Sequence, residues 1–212
     1  MKYLLWIAIA VGAYFLGNFS TGLIVGKALG NIDIRKTGSG NAGTTNIMRT
    51  LGWMPSVLTL IGDALKAFIA VKLGKWIGGE IGGYIAGIAV LLGHNWPVLF
   101  EFKGGKGMAS SLGIIFANEP WLALVLLVMQ IVIVGITRYM SVASICTAIA
   151  YPVIVAICHP DNGGYIVFAV LMGLLALFCH RANIQRLISG TENRLDFSKI
   201  SKLSGKLHIK KK

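Results

Sequence analysis

The stretch Arg35-Lys36-Thr37-Gly38-Ser39-Gly40-Asn41-Ala42-Gly43-Thr44-Thr45-Asn46-Ile47-Met48-Arg49 crowds glycines, hydroxyls, amides and cations together. Glycine frees a backbone to aim several N–H groups at one anion. Ser39, Thr44 and Thr45 add hydroxyl donors, Asn41 and Asn46 add amides, and Arg35 and Arg49 offer planar forks that match phosphate oxygens. A second polar stretch starts at Gly93-His94-Asn95-Trp96-Pro97 and runs to Phe102-Lys103-Gly104-Gly105-Lys106-Gly107. It ends directly before an apolar run. Exposed backbone N–H groups, a positive helix end and two lysines would cradle a phosphate there. It is not a Walker loop, because G-x-x-x-x-G-K-[ST] is absent.

The third stretch, Cys179-His180-Arg181-Ala182-Asn183-Ile184-Gln185-Arg186, continues to Gly190-Thr191-Glu192. His180, Asn183 and Arg186 fall three apart, on one side of a helix. Asp63 and Lys66, also three apart, lie inside an apolar run, as a structural ion pair or as groups that orient Arg49 or a substrate hydroxyl. Several chemistries are missing. There is no H-E-x-x-H and no G-x-S-x-G elbow. Nor is there an H-x-x-x-x-D pair: five residues after His94, His159 and His180 stand Leu99, Gly164 and Gln185. No metal and no cofactor is called for, and nothing points to nucleic acid.

The elements that must position these stretches are membrane helices. Of 212 residues 55% are hydrophobic and 13% charged, and the net charge is +12. A soluble domain is about a quarter charged. The sequence predicts an all-α polytopic membrane protein with about seven spans: 4–26, 55–74, 81–99, the short 108–118, 121–137, 142–158 and 164–180. Arg35, Lys36, Arg49, Lys103, Lys106, Arg138 and the tail after Arg181 are basic, while Glu80, Glu119 and Asp161 mark the alternate connections. Basic connections stay cytoplasmic. Counting 108–118 as a crossing therefore puts the N-terminus outside, the C-terminus in the cytoplasm, and all three polar stretches on the cytoplasmic face. Residues 1–198 read as a single embedded domain and 199–212 as a basic tail attracted to anionic lipid. The ridges Gly22/Gly26/Gly30 and Gly79/Gly83/Gly87 would let helices approach closely. Residue types and spacing thus lead to a membrane enzyme or transporter handling phosphorylated substrates.

RKTGSGNAGTTNIMRTLG, GHNWPVLFEFKGGKGMA and HRANIQRLISGTE resemble the three signature blocks of the bacterial acyl-phosphate:glycerol-3-phosphate acyltransferases, the PlsY family. The resemblance covers nearly the whole chain. It implies a seven-helix protein of the bacterial inner membrane that moves an acyl group from a long-chain acyl phosphate to the 1-hydroxyl of glycerol 3-phosphate. The products would be lysophosphatidate and phosphate, opening phospholipid synthesis. By this analogy Ser39, Arg49, Lys106, His180 and Asn183 hold glycerol 3-phosphate, and the Gly104, Gly105 and Gly107 amides clasp the acyl phosphate. Arg35, Asn41, Thr45, Asn46, His94 and Lys103 complete the substrate-binding set, and His180 and His94 are candidate bases. Membrane lipids are the other expected partner. The oligomeric state is left open, with a monomer sufficing. The competing reading is a small transporter of phosphate esters or lipids, whose half-helix 108–118 points at the cargo.

Overall fold

The computed structural model describes residues 1–209, and the chain is helical throughout its apolar stretches. The helices are α1 (Lys2–Gly17), α2 (Thr21–Gly30), α3 (Thr44–Leu51), α4 (Trp53–Asn95), α5 (Met108–Asn118), α6 (Pro120–Thr137), α7 (Met140–Cys158), α8 (Gly163–Cys179), α9 (Arg181–Ile188) and α10 (Phe197–Ile209). Lys2–Gly30, Trp53–Phe100, Pro120–Thr137 and Met140–Cys158 are long and apolar enough to cross a membrane, as is the bent pair α8–α9. Side chains such as Ile61, Leu124, Val128, Ile157 and Leu174 stand exposed around the bundle. In water such a surface would aggregate; against acyl chains it is at no disadvantage.

Two breaks shape the bundle. The first apolar stretch, expected as one helix over 4–26, bends where Asn18 caps α1. Asn18 is fully buried. Its amide donates to the Tyr14 carbonyl at 2.8 Å and its side-chain oxygen accepts from the Leu99 N–H at 3.1 Å. The second break is Gly79, at φ 67° and ψ −163° inside α4. That backbone state suits glycine, and Gly79 turns α4 back on itself rather than packing in a ridge. A Cβ on Gly74 would lie 2.5 Å from the Gly82 carbonyl oxygen, so the two arms touch. The Lys75–Glu80 ion pair, 2.8 Å, closes the turn.

The short α5 fills the fork between these arms. A Cβ on Gly113 would meet the Ala64 carbonyl oxygen at 1.9 Å, and Gly87 of the other arm lies against Ile114. Val71, Val90, Ile114 and Leu122 are fully buried at this junction. Gly22 and Gly26 face Ala42 and Ile34, so that ridge seats the loop after α2, with Thr59 of α4 also beside Gly22.

The C-terminal segment departs from the expected lipid-attracted tail. Its division at 198/199 falls inside α10, which packs on α3. Ile200 is buried in a cluster with Met48 and Leu195. The Trp53 N–H donates to Ser204 Oγ at 3.0 Å, and the Phe197 and Trp53 rings stack. The basic residues that suggested a tail share this segment with apolar ones in the amphipathic pattern of a docked helix. Lys210–Lys212 lie outside the described residues.

Candidate active site

The three polar stretches, far apart in the chain, line one cavity of about 770 Å³. Ser39, Asn41, Thr45 and Arg49 come from the first, His94, Lys106 and Gly107 from the second, and His180, Asn183 and Arg186 from the third. The cavity continues between α5, α6, α7 and α8 along Leu112, Leu126, Ile131, Ala148 and Met172. It is therefore a polar bowl opening into an apolar slot.

The bowl is cationic and its charges are held by short bonds. The Lys106 ammonium donates to Asn183 Oδ1. The Asn183 amide in turn donates to Glu192 Oε1 at 2.8 Å, Ser141 Oγ donates to the same oxygen at 2.9 Å, and Arg186 Nε donates to Oε2 at 2.8 Å. Burial opposes the Glu192 charge, but these bonds hold its carboxyl below the usual glutamate range. Arg49 donates through Nη2 to the Asn193 carbonyl at 3.0 Å. Its Nε is buried with no acceptor among the described residues. Burial lowers the Lys106 ammonium from its ordinary value, with Arg186 and Arg49 adding to this. The Arg49 guanidinium is lowered in the same way, first by burial. Lys106, Arg49 and Arg186 thus stand together around Glu192, an arrangement of charge suited to an anion.

The two histidines differ in tautomer. His180 Nδ1 lies 2.8 Å from the Ala176 carbonyl, which only accepts, so Nδ1 carries the hydrogen and Nε2 keeps its lone pair. His94 Nδ1 lies 3.0 Å from the Lys66 ammonium, which only donates, so here Nε2 carries the hydrogen. His94 is thereby tied through Nδ1 to the Lys66–Asp63 pair. Lys66 also donates to the Gly17 and Phe19 carbonyls and pairs with Asp63 at 2.8 Å. Asp63 lies 3.6 Å from His94 Nδ1 and is fully buried. The pair ties α1, α4 and His94 together and makes no contact with Arg49.

The glycine loop is built differently from the expected amide clasp. The Gly105 N–H already donates to the His94 carbonyl at 3.1 Å. A Cβ there would lie 2.1 Å from His94 Nε2, and one on Gly104 would lie 2.1 Å from the His94 carbonyl oxygen. These glycines let the loop lie flat on the end of α4. Gly107, at φ 79°, then caps α5 and faces the cavity, so the first N–H groups of α5 are the backbone donors presented to the bowl.

Other expected residues are committed elsewhere. Arg35 forms a forked pair with Asp33, 2.9 Å at its shortest, and reaches the Phe100 carbonyl. Lys103 pairs with Glu101 in the exposed part of the loop. Asn46 reaches the cavity wall, but its amide serves the Ile34, Thr37 and Asn41 carbonyls, each at 2.9 Å, and its oxygen takes the Ser39 N–H. It shapes the loop that presents Ser39. Conversely, Glu192, Ser141 and Arg186 were absent from the expected site. Arg186 shares the His180–Asn183 spacing, and Glu192 is the one acidic residue in the third stretch, so both carried a signal. Ser141, at the mouth of an apolar helix, carried none.

Residues 7–190 match the family model described as glycerol-3-phosphate acyltransferase. A glycerol-3-phosphate acyltransferase of Alkaliphilus metalliredigens is 42% identical over 187 residues, covering 88% of this chain and 94% of its own. One of Clostridioides difficile is 40% identical over 201 residues, covering 92% and 98%. Among solved structures, PlsY, an integral membrane glycerol 3-phosphate acyltransferase, superposes in its glycerol 3-phosphate form with a TM-score of 0.86 at 35% identity, covering 92% of this chain and 98% of its own. Its lysophosphatidic acid form gives 0.83 at 34% identity, with 92% and 97% covered. With the family model spanning most of the sequence and relatives this similar over nearly their full length, this chain belongs to the glycerol-3-phosphate acyltransferase family.

Proposed function

We propose that the chain acylates the 1-hydroxyl of glycerol 3-phosphate with a fatty acyl group taken from an acyl phosphate, releasing lysophosphatidate and phosphate. The observation that carries this is the joining of a cationic bowl to an apolar slot in one cavity. The bowl suits phosphate groups, each with about −1.5 to −2 charges, and the slot suits a hydrocarbon chain. The relative's glycerol 3-phosphate and lysophosphatidic acid forms are the acceptor and product this arrangement calls for.

Arg49, Lys106 and Asn183 hold the acceptor's phosphate, and Ser39 closes over it from its loop. His180 Nε2 accepts a hydrogen bond from the glycerol hydroxyl and turns its oxygen toward the acyl carbon. The α5 N-terminus after Gly107 faces the acyl phosphate and steadies the charge that develops on the carbonyl oxygen. The new ester bond forms as the acyl–phosphate bond breaks. The hydroxyl proton leaves with the departing group as hydrogen phosphate, so the balanced step needs no covalent enzyme intermediate. Placing two reactants side by side supplies much of the rate.

The basic connections around these stretches favour a cytoplasmic position for this bowl. To test the reading, purified protein receives glycerol 3-phosphate with either palmitoyl phosphate or palmitoyl-CoA, and lysophosphatidate is followed by mass spectrometry. Product from the acyl phosphate alone is expected. Product from the thioester alone would contradict the donor, and none from either would contradict the activity.

A further inference from the structure

We infer that Tyr151 is the floor of the acyl slot and fixes the longest chain the enzyme seats in full; the inference rests on the acyltransfer reading and deepens it. The slot's depth can be followed down α7, where Met140, Ser141, Ser144, Thr147, Ala148 and Tyr151 face it and nothing beyond Tyr151 does. At about 1.5 Å per residue, Met140 to Tyr151 is a descent of roughly 16 Å. The neighbouring helices stop at matching levels, with Leu126 on α6, Ile115 on α5 and Met172 on α8 the deepest lining residues of each. All of these are buried, and Tyr151 is only 3% exposed.

The floor is braced from behind. Tyr151 Oη is 3.5 Å from Tyr165 Oη, and the two rings meet edge to face. Tyr165 Oη lies 3.4 Å from Glu119 Oε2, and Glu119 is held by His159 at 2.9 Å. A terminal methyl pressing on the Tyr151 ring thus presses on a chain of contacts reaching the far end of the bundle. The polar groups partway down do not interrupt the slot. Thr147 Oγ1 donates to Gln130 Oε1 at 3.0 Å, and Gln130 Nε2 lies 3.4 Å from Ser144 Oγ, so they satisfy one another across the α6–α7 seam. An apolar pocket discriminates by roughly 10–200-fold per methylene admitted or refused. A rigid aromatic floor is where such discrimination arises.

The test measures kcat/KM with lauroyl, palmitoyl and stearoyl phosphates for the intact protein, Tyr151→Ala, Tyr151→Phe and Ala148→Leu, all in one detergent. Tyr151→Ala deepens the slot and shifts the stearoyl-to-lauroyl ratio at least about tenfold toward stearoyl. Ala148→Leu fills the slot one turn higher and shifts the ratio toward lauroyl. Tyr151→Phe keeps the ring and with it the wild-type order of preference. Opposite shifts in the first and third variants support the floor, since general loosening would not reverse sign. A wild-type order in either of them overturns it. If the intact protein makes no product from any of the three donors, the acyltransfer reading fails and the floor falls with it.

Discussion

Lys106 and Asn183 meet across the cavity although seventy-seven positions separate them in the chain. One stands before α5 and the other on α9, and Glu192 then anchors Asn183 from behind. The contact joins two of the three polar stretches, so the bowl exists only once the helices between them have packed.

Removing either cation leaves a bound phosphate poorly matched. Charge-assisted hydrogen bonds are worth about 1.5–3 kcal/mol, so Lys106→Ala and Arg49→Ala should each lower kcat/KM by roughly ten- to a hundredfold or more. Both variants should keep the melting temperature of the parent within a few degrees. Full activity in either would remove that residue from the site.

The glycine loop gives a steric prediction. Gly105→Ala drives a methyl into His94 Nε2 and must lift the loop that carries Lys106. The KM for glycerol 3-phosphate should rise more than about tenfold, with kcat falling less, because the substrate's anchor has moved while the transferring geometry can still be reached. Gly163→Ala meets nothing within 4 Å and serves as the control. Equal effects of the two substitutions would contradict the close approach.

Asp63 and Lys66 make a stability prediction. Breaking a buried ion pair from one side costs about 3–5 kcal/mol. Lys66→Met should therefore lower the melting temperature in detergent markedly, and the added Asp63→Asn should recover part of the loss. If the single variant melts like the parent, the pair does not hold α1 to α4.

The lowered Lys106 ammonium predicts the alkaline limb of the pH profile. Its charge is present below its depressed pKa and lost as pH rises through it, so kcat/KM should begin to fall below the ordinary lysine range. In Lys106→Arg, which stays charged at any accessible pH, the limb should move to higher pH. A limb unmoved by this change belongs to another group.

Much of this architecture was legible from composition and spacing. The apolar runs fold as helices, although the run over 4–26 breaks at Asn18, and the three polar stretches line one cavity. What each polar residue does was less legible. A glycine that opens a backbone to an anion and one that makes room for a close neighbour look identical in sequence, and Gly104, against the His94 carbonyl, and Gly105, against the His94 ring, are of the second kind. Asn46 and Arg35 carry the right chemistry for phosphate but have nearer partners along the loop. His94 is tied to Lys66, twenty-eight residues away, a contact set by the fold of α4 around Gly79. The C-terminal basic segment misled because its charges were counted without its apolar face, on which Ile200 and Phe197 dock.

That docking changes what truncation should do. Ending the chain at residue 198 removes the buried Ile200 and the Ser204 bond to Trp53, both beside the helix that carries Arg49. Activity in detergent should drop severalfold, chiefly through the KM for glycerol 3-phosphate. A truncated protein with parental kinetics would show that α10 contributes nothing to the site.

The central claim is that two phosphorylated molecules lie together in one bowl and the acyl group passes directly between them. An initial-rate grid, varying glycerol 3-phosphate and palmitoyl phosphate together, tests it most directly. Intersecting double-reciprocal lines, with no burst of phosphate when the acceptor is withheld, are the predicted result. Parallel lines with a stoichiometric phosphate burst would reveal an acyl-enzyme and contradict direct transfer.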